Sequence, residues 1–432
     1  MQNNKIDVIV VGAGPAGVSA AITLARADKK VLLVERGSFA GAKNVFGGAI
    51  YVEPTQEIFP NFLDEAPIER IVKEHCYSLM TKDSATTIAY KSPMAKTNAC
   101  TVIRAKFDKW CVEQAQKEGV YFAPNTVVKE LLVDNEKVIG IKTDLEEYYS
   151  NIVILADGVN SLLAKQLRMR KTIMPKNVAL SVKEVIKLDK KVIEERFNLD
   201  EKSGCVYELI GYPMDKNLGL GFLYTNKDSI SIGLGISLED LRKQKINVNN
   251  VLEELKKHPV IKPLIKDGEL VEYSAHLIPE GGYKKIPKLY GNGVMIVGDA
   301  AMLVNNLHWE GTNLALKSGQ LAAQTAIEAL DKIDFSEKTL SLYHKKLENS
   351  YILKDLKTYK DILDNISPKT GSFFCYYPKK IAEFFEIFTN VNAKPKKQEF
   401  RKYIQSWFTE RNLGKLLSDI WVIIKSVIGV LK

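Results

Sequence analysis

Gly12-Ala13-Gly14-Pro15-Ala16-Gly17 leaves this chain few folds to choose from. The six residues spell G-x-G-x-x-G. The apolar run 5–11 precedes them and reads as a strand of a parallel sheet covered on both faces. Residues 15–27 read as a helix and 30–34 as a second strand, which completes a βαβ unit of ordinary size. Each glycine has a physical task. Gly12 permits the tight turn, Gly14 lets a pyrophosphate approach the backbone, and Gly17 lets helix and strand pack closely. Ala13, Pro15 and Ala16 lead into a helix N-terminus whose unpaired N–H groups suit phosphate oxygens. Glu35 closes the second strand, where a carboxylate accepts hydrogen bonds from an adenosine ribose. An acid there argues against a 2′-phosphate, so the order of elements points to FAD or NAD rather than NADP.

The remaining chain bounds the domain plan. Its 432 residues exceed what one core usually supports, so two or three domains are expected. Residues 104–118 read as a helix and 152–158 as a buried strand ending in a turn. Between 178 and 237 apolar and polar residues alternate, the pattern of an antiparallel sheet with one face open to a helix, solvent or a ligand. Residues 294–301 return to the buried-strand type, and a long helix is expected over about 312–330. The fold expected is α/β: a glutathione-reductase-type FAD-binding Rossmann domain with an inserted antiparallel β-sheet substrate domain and a helical C-terminal region. Its boundaries are 1–75, 100–172 and 274–330 for the discontinuous FAD-binding domain and 76–99 with 173–273 for the sheet domain. The helical region runs 331–432. Cys76, Cys100, Cys111, Cys205 and Cys375 form no C-x-x-C pair, so this chain alone builds no thiolate metal or iron–sulfur site.

FAD is favoured over NAD by three further motifs. Val294 to Ala301, a strand ending in Gly298-Asp299, resembles the second FAD motif of the glutathione-reductase-type flavoproteins, where the Asp binds the ribityl chain. Ala156-Asp157-Gly158 resembles the Asp-Gly motif of the flavin hydroxylase branch. Arg104, in R-x-x-x-D with Asp108, resembles the arginine that reaches the pyrophosphate in that branch. There is no second G-x-G-x-x-G, which speaks against a separate nicotinamide domain.

A narrower resemblance rests on Gly41 to Gly48 (GAKNVFGG), Leu155 to Ser161 (LADGVNS), Phe222 to Asn226, Leu270 to His276 (LVEYSAH) and Gly298 to Ala301. Together these are similar to the electron-transfer-flavoprotein:quinone oxidoreductase family, specifically its short FixC-type members, over nearly the whole chain. The resemblance implies FAD in a two-domain flavoprotein that passes electrons between an electron-transfer flavoprotein and a quinone at the membrane surface. It also implies that Arg36, Lys43, Asn44, Gly47, Gly48 and Val128 border the cofactor, although Lys43 also reads as a solvated lysine. Long members carry a four-cysteine iron–sulfur module. Only Cys375 lies beyond residue 205 here, so a separate ferredoxin-like subunit is the implied source of a cluster.

In the resembling family, residues Asn305 to Leu314 pass the isoalloxazine ring. A helix starting near Gly311, with Thr312, Asn313 and Leu314, aims N–H groups at the flavin N1/C2=O edge, where reduction places negative charge. His308 and Glu310 are candidate proton-relay residues, with a surface or cap role as the alternative for His308. Tyr207, Tyr212, Gly219 and Gly221 faintly resemble the sheet signature of geranylgeranyl reductases and are candidate substrate residues for an isoprenoid tail, of a quinone or a prenyl lipid. Ordinary sheet packing explains them equally well. A prenyl-lipid reductase saturating isoprenoid C=C bonds is the alternative function. An NAD(P)H-dependent aromatic hydroxylase and a non-catalytic flavin-holding subunit are further rivals.

The C-terminal residues 413–431 repeat apolar residues at helical spacing, from Leu413 through Leu416, Leu417, Ile420 and Ile424 to Leu431. Lys415, Ser418, Asp419, Lys425 and Ser426 are expected mainly on the other face. The formal net charge is +9, and from Lys379 onward eleven basic residues stand against five acidic ones. Nothing in the chain resembles a nucleic-acid module. The local basic excess beside an amphipathic helix suits an anionic membrane surface, with helix packing on the protein's own core or a partner subunit as the alternative. No apolar run approaches the roughly 18 residues of a spanning helix, and the N-terminus does not read as a signal peptide. The expected location is cytoplasmic, peripheral on the inner face of the cell membrane.

Overall fold

The computed structural model describes residues 6–42, 48–92, 97–308, 310–393 and 395–431. The chain divides into two compact units. One comprises Met1–Val72, Lys96–Ser181 and Ser274–Lys357, and the other Lys73–Ala95, Val182–Tyr273 and Thr358–Lys432. Residues 331–357 therefore cluster with the first unit and 358–432 with the second, rather than forming a region of their own. Leu340, Tyr343, Leu347 and Ile352 explain the first assignment, because they bury fully in the core of the first unit.

That core is organised by five parallel strands in the order Val294–Ile296, Glu147–Leu155, Ile6–Val11, Val31–Val34 and Tyr121–Ala123. Val8 sits opposite both Ile152 and Val31. The β-branched run at 6–11 is buried because helices cover both faces of such a sheet. Helix Pro15–Ala25 follows the glycine turn and packs on helix Thr312–Lys332. A Cβ at Gly319 would lie 2.0 Å from the Ala16 carbonyl oxygen, so this crossing depends on the missing side chain. The Ser19 hydroxyl donates to the Leu316 carbonyl at 2.6 Å across the same contact. Helix Arg104–Lys117 is anchored by Phe107 and Trp110, which meet Phe62 at ring-centroid distances of 5.9 and 6.3 Å. The strand expected over 294–301 stops at Ile296. Gly298 takes φ +61 and a 3₁₀ turn, Gly298–Ala301, replaces the extended backbone.

The second unit is an antiparallel sheet. Ser203–Gly211, Gly219–Thr225 and Ser229–Ser237 pair in succession, with Tyr207 opposite Leu223 and Leu223 opposite Ile232. The last two strands are almost wholly buried, so the alternation in the sequence does not leave them a solvent face. Helix Val248–Lys257 buries Val251, Leu252 and Leu255, and Leu255 packs over Gly221. The chain then forms a π-helical turn, Gly371–Tyr376, and helices Tyr377–Thr389, Lys396–Glu410 and Leu413–Leu431.

Candidate functional site

The glycine turn of the first unit forms a phosphate cradle. Gly12 takes φ +103, and a Cβ there would lie 2.3 Å from the Ala156 carbonyl oxygen. A Cβ at Gly17 would lie 1.8 Å from the Gly12 carbonyl oxygen. Gly14 differs: nothing lies within 4 Å of the place its Cβ would take. Gly14 caps the helix, Pro15 occupies its first turn, and the space above the turn stays open to a ligand. Glu35 braces this turn. Its Oε2 accepts from the Ala13 N–H at 2.9 Å and its Oε1 from the Gly37 N–H at 2.7 Å. The carboxylate thus has a structural task that the ribose reading did not contain. The Thr126 and Asn125 N–H groups donate to the carbonyls of Glu35 and Gly37, which brings the segment leading to Val128 beside the acid. Arg36 is exposed, and the Gly48 carbonyl accepts from the Val102 N–H at 2.7 Å. Lys43, Asn44 and Gly47 lie outside the described residues.

A buried charge cluster joins the other motifs. Arg104 grips Asp108 with two hydrogen bonds, Nε to Oδ1 at 2.8 Å and Nη2 to Oδ2 at 2.9 Å. Burial lifts the Asp299 carboxyl to about 6, against the pull of Arg104 and Arg170. Burial also lifts Asp157 to about 6, opposed by backbone N–H groups, Ser161 and Arg170. Arg170 was not apparent in the sequence. Its Nη1 donates to the carbonyls of Val159 at 2.9 Å and Ala300 at 3.0 Å, tying the loop after Asp157 to the loop after Asp299. Its buried Nη2 makes no hydrogen bond. His276 closes the Leu270–His276 motif. It is half-buried, and burial together with Arg36 and Arg104 lowers its pKa, so the imidazole is held neutral. Glu280, also unmarked in the sequence, is lifted to about 8 by burial alone.

At the start of helix Thr312–Lys332, Asn305 and Glu310 form an isolated β-bridge. The bridge projects His308 outward, and His308 is exposed. Its carbonyl accepts from the Tyr51 hydroxyl at 3.3 Å. Glu310 accepts from Asn305 Nδ2 and Asn313 Nδ2, and burial raises its pKa. Gly311 caps the helix, and Asn313 and Leu314 are buried just inside it. The open space at Gly14 and the unpaired polar atoms of Arg170 and Asn313 fit a large polar cofactor spread along this unit.

The four substrate candidates of the second unit do not converge. Gly219 and Gly221 pack inside the sheet: a Cβ would lie 2.6 Å from the Gly235 carbonyl oxygen in the first case and 3.2 Å from Leu209 Cβ in the second. Tyr207 packs edge-on to Phe197. Tyr212 lines a cavity of about 500 Å³ with Met80, Asp215, Phe374 and Cys375, and its hydroxyl donates to Glu254 at 3.3 Å.

Helix Leu413–Leu431 presents its faces in an unexpected sense. Asp419, expected on the outer polar face, is fully buried, with Arg411 Nη2 at 2.6 Å, Lys369 Nζ at 3.2 Å and the Tyr377 hydroxyl at 3.1 Å. Ser418 and Ser426 bond Lys369 and Asn365. Leu417, Ile420, Trp421, Ile424, Val427 and Ile428 are exposed, Trp421 by 61%. The ion pairs turn Asp419 inward beside Leu416, while Lys415, Ser418, Lys425 and most of the apolar stripe face out. No helix among the described residues is long and apolar enough to cross a membrane.

Comparison with known proteins covers nearly the whole chain. Residues 7–164 match the family model described as FAD dependent oxidoreductase. Residues 178–278 match ETF-QO, ubiquinone-binding, and residues 367–428 match the ETF-QO/FixC family C-terminal domain. Protein FixC of Azorhizobium caulinodans is 40% identical over 426 residues, covering 97% of this chain and 98% of that protein. The probable electron transfer flavoprotein-quinone oxidoreductase YdiS of Escherichia coli K12 is 41% identical over 424 residues, again covering 97% and 98%. Among solved structures, a geranylgeranyl bacteriochlorophyll reductase-like protein from Thermoplasma acidophilum has a TM-score of 0.72 at 21% identity, covering 96% of this chain and 99% of that one. The flavin-dependent brominase Bmp2 has a TM-score of 0.64 at 16% identity, covering 94% and 100%. These structural likenesses are of fold.

Proposed function

Because this chain belongs to the ETF-QO/FixC family and is an FAD-dependent oxidoreductase, we propose that it passes electrons between an electron-transfer flavoprotein and a quinone or a ferredoxin-like partner. The observation that carries this reading is the pairing of an intact FAD cradle with a ubiquinone-binding family match over residues 178–278. Behind the prenyl-lipid alternative stand a likeness of fold at 21% identity and a faint sheet signature whose glycines pack inside the sheet.

FAD, when bound, supplies chemistry that accepts electrons as a pair and releases them singly. The residues of the chain bind and bias it. The open turn at Gly14 and the start of helix Pro15–Ala25 receive the pyrophosphate, with Arg104 held rigid by Asp108 for the same charge. Asp299 takes the ribityl hydroxyls, and Arg170 keeps its loop in register with that of Asp157. The N-terminus of helix Thr312–Lys332 favours negative charge on the flavin edge placed there. His308, exposed to solvent, relays protons toward that edge, with Glu310 half-buried beside it. Electron transfer itself asks for no nucleophile, and none is assigned.

The outward apolar stripe of helix Leu413–Leu431 supports peripheral contact with the inner face of the cell membrane, where a quinone resides. A separate ferredoxin-like iron–sulfur subunit completes the electron path. The test is anaerobic oxidation of reduced electron-transfer flavoprotein by a water-soluble quinone, with and without that subunit. Quinone reduction dependent on the chain supports the reading; none in either condition contradicts it.

A further inference from the structure

Asn305, Glu310 and Asn313, in the first turn of helix Thr312–Lys332, form one hydrogen-bonded knot. Asn305 and Glu310 bond backbone to backbone in both directions, at 2.9 and 3.1 Å. Their side chains pair as well: Asn305 Nδ2 donates to Glu310 Oε2 at 3.2 Å, and Asn313 Nδ2 donates to Glu310 Oε1 at 3.4 Å. An ionised carboxylate only accepts, so it selects the amide nitrogen of each asparagine. The amide of Asn313 is planar, and its Oδ1 is therefore turned away from Glu310. That oxygen is buried and has no hydrogen-bond partner, in a residue only 4% exposed. The Tyr351 hydroxyl bonds the Asn313 carbonyl at 3.3 Å and fixes the backbone beneath it. Buried acceptors in folded proteins are almost always paired, so an acceptor held open at a helix start calls for a donor on the ligand.

The flavin edge assigned to this helix start is N1/C2=O. The atom on the other side of C2=O is N3, which carries the only N–H of the oxidised ring. We infer that Asn313 Oδ1 accepts the N3–H of the FAD ring, and that Glu310, with Asn305, is a positioning residue that holds the Asn313 amide in that orientation. The inference rests on the FAD reading of the site.

The contact is tested by reconstituting the full-length apoprotein with FAD and with 3-methyl-FAD, in which a methyl group replaces that hydrogen. The wild-type protein should bind 3-methyl-FAD about tenfold or more weakly than FAD, the size of one lost hydrogen bond. Asn313→Ala removes the acceptor and opens space, so the ratio should fall to about threefold or less. Glu310→Gln presents a carboxamide that can donate or accept, and should give a ratio between the two. A general folding defect would weaken both flavins alike, so the ratio isolates the contact. Equal affinity of the wild type for both flavins, or an unchanged ratio in Asn313→Ala, overturns the inference while FAD binding stands. Failure of the wild type to bind FAD at all overturns the reading beneath it, and the inference with it.

Discussion

A methyl group added at Gly14 would touch nothing within 4 Å, whereas one at Gly17 would overlap the Gly12 carbonyl oxygen at 1.8 Å. The two glycines therefore serve different ends. Gly14→Ala should leave thermal stability within about 0.5 kcal/mol of wild type yet weaken FAD binding about tenfold or more. Gly17→Ala should cost about 3 kcal/mol or more of stability, because backbone must move. Thermal unfolding without FAD and titration with FAD separate the two effects. Arg170→Met should weaken FAD binding about tenfold, since it frees two loops that carry Asp157 and Asp299. A flavin titration giving an unchanged Kd would show that these loops need no such tie. Glu280 supplies a pH signature. Burial lifts its carboxyl from 4.5 to about 8, so the folded state binds its proton more tightly than the unfolded state does. The stability this group contributes is complete below pH 4.5 and is lost as pH rises through about 8. Glu280→Gln should flatten that loss, giving a higher Tm than wild type on the alkaline side and little difference on the acid side. Parallel Tm profiles for the two proteins would contradict it.

At the scale of elements, the sequence and the structure part company in instructive ways. The strand–turn–helix at 6–25 was legible because its signals are local: β-branched runs, fixed glycine spacing and an N-terminal proline. Arg170 was not, because its partner Ala300 lies 130 residues away and no local pattern marks such a bond. The periodicity at 413–431 revealed a helix but not which face it buries. That choice is made by Arg411, Lys369 and Tyr377 around Asp419, which lie on other segments of the fold or before the helix begins. Asp419→Ala should cost about 2 kcal/mol by removing the buried carboxylate that Arg411, Lys369 and Tyr377 share, and should loosen the helix in hydrogen exchange. Ile420→Glu with Ile424→Glu should leave Tm unchanged, because both side chains are exposed, and should abolish binding to anionic liposomes. Co-sedimentation equal to wild type would remove the membrane role from this face.

Across the whole molecule, the two units divide the work. The first holds the cofactor cradle in an order of elements that the sequence already displayed. The second holds the ubiquinone-binding match and the outward apolar helix. The sequence alone did not show that residues 331–357 cluster with the first unit, since helices such as Leu342–Asn349 look alike whichever core they cover. Nor did it show that Gly219 and Gly221 serve sheet packing, since a glycine pair in a strand reads equally as a ligand-facing gap. The proposed electron path runs from an electron-transfer flavoprotein through the FAD of this chain. The most direct measurement mixes the FAD-loaded protein anaerobically with reduced electron-transfer flavoprotein and follows the flavin absorbance, then adds quinone. The bound FAD should bleach and return on adding quinone or the ferredoxin-like subunit; a flavin band unchanged by the reduced electron-transfer flavoprotein would rule this electron path out.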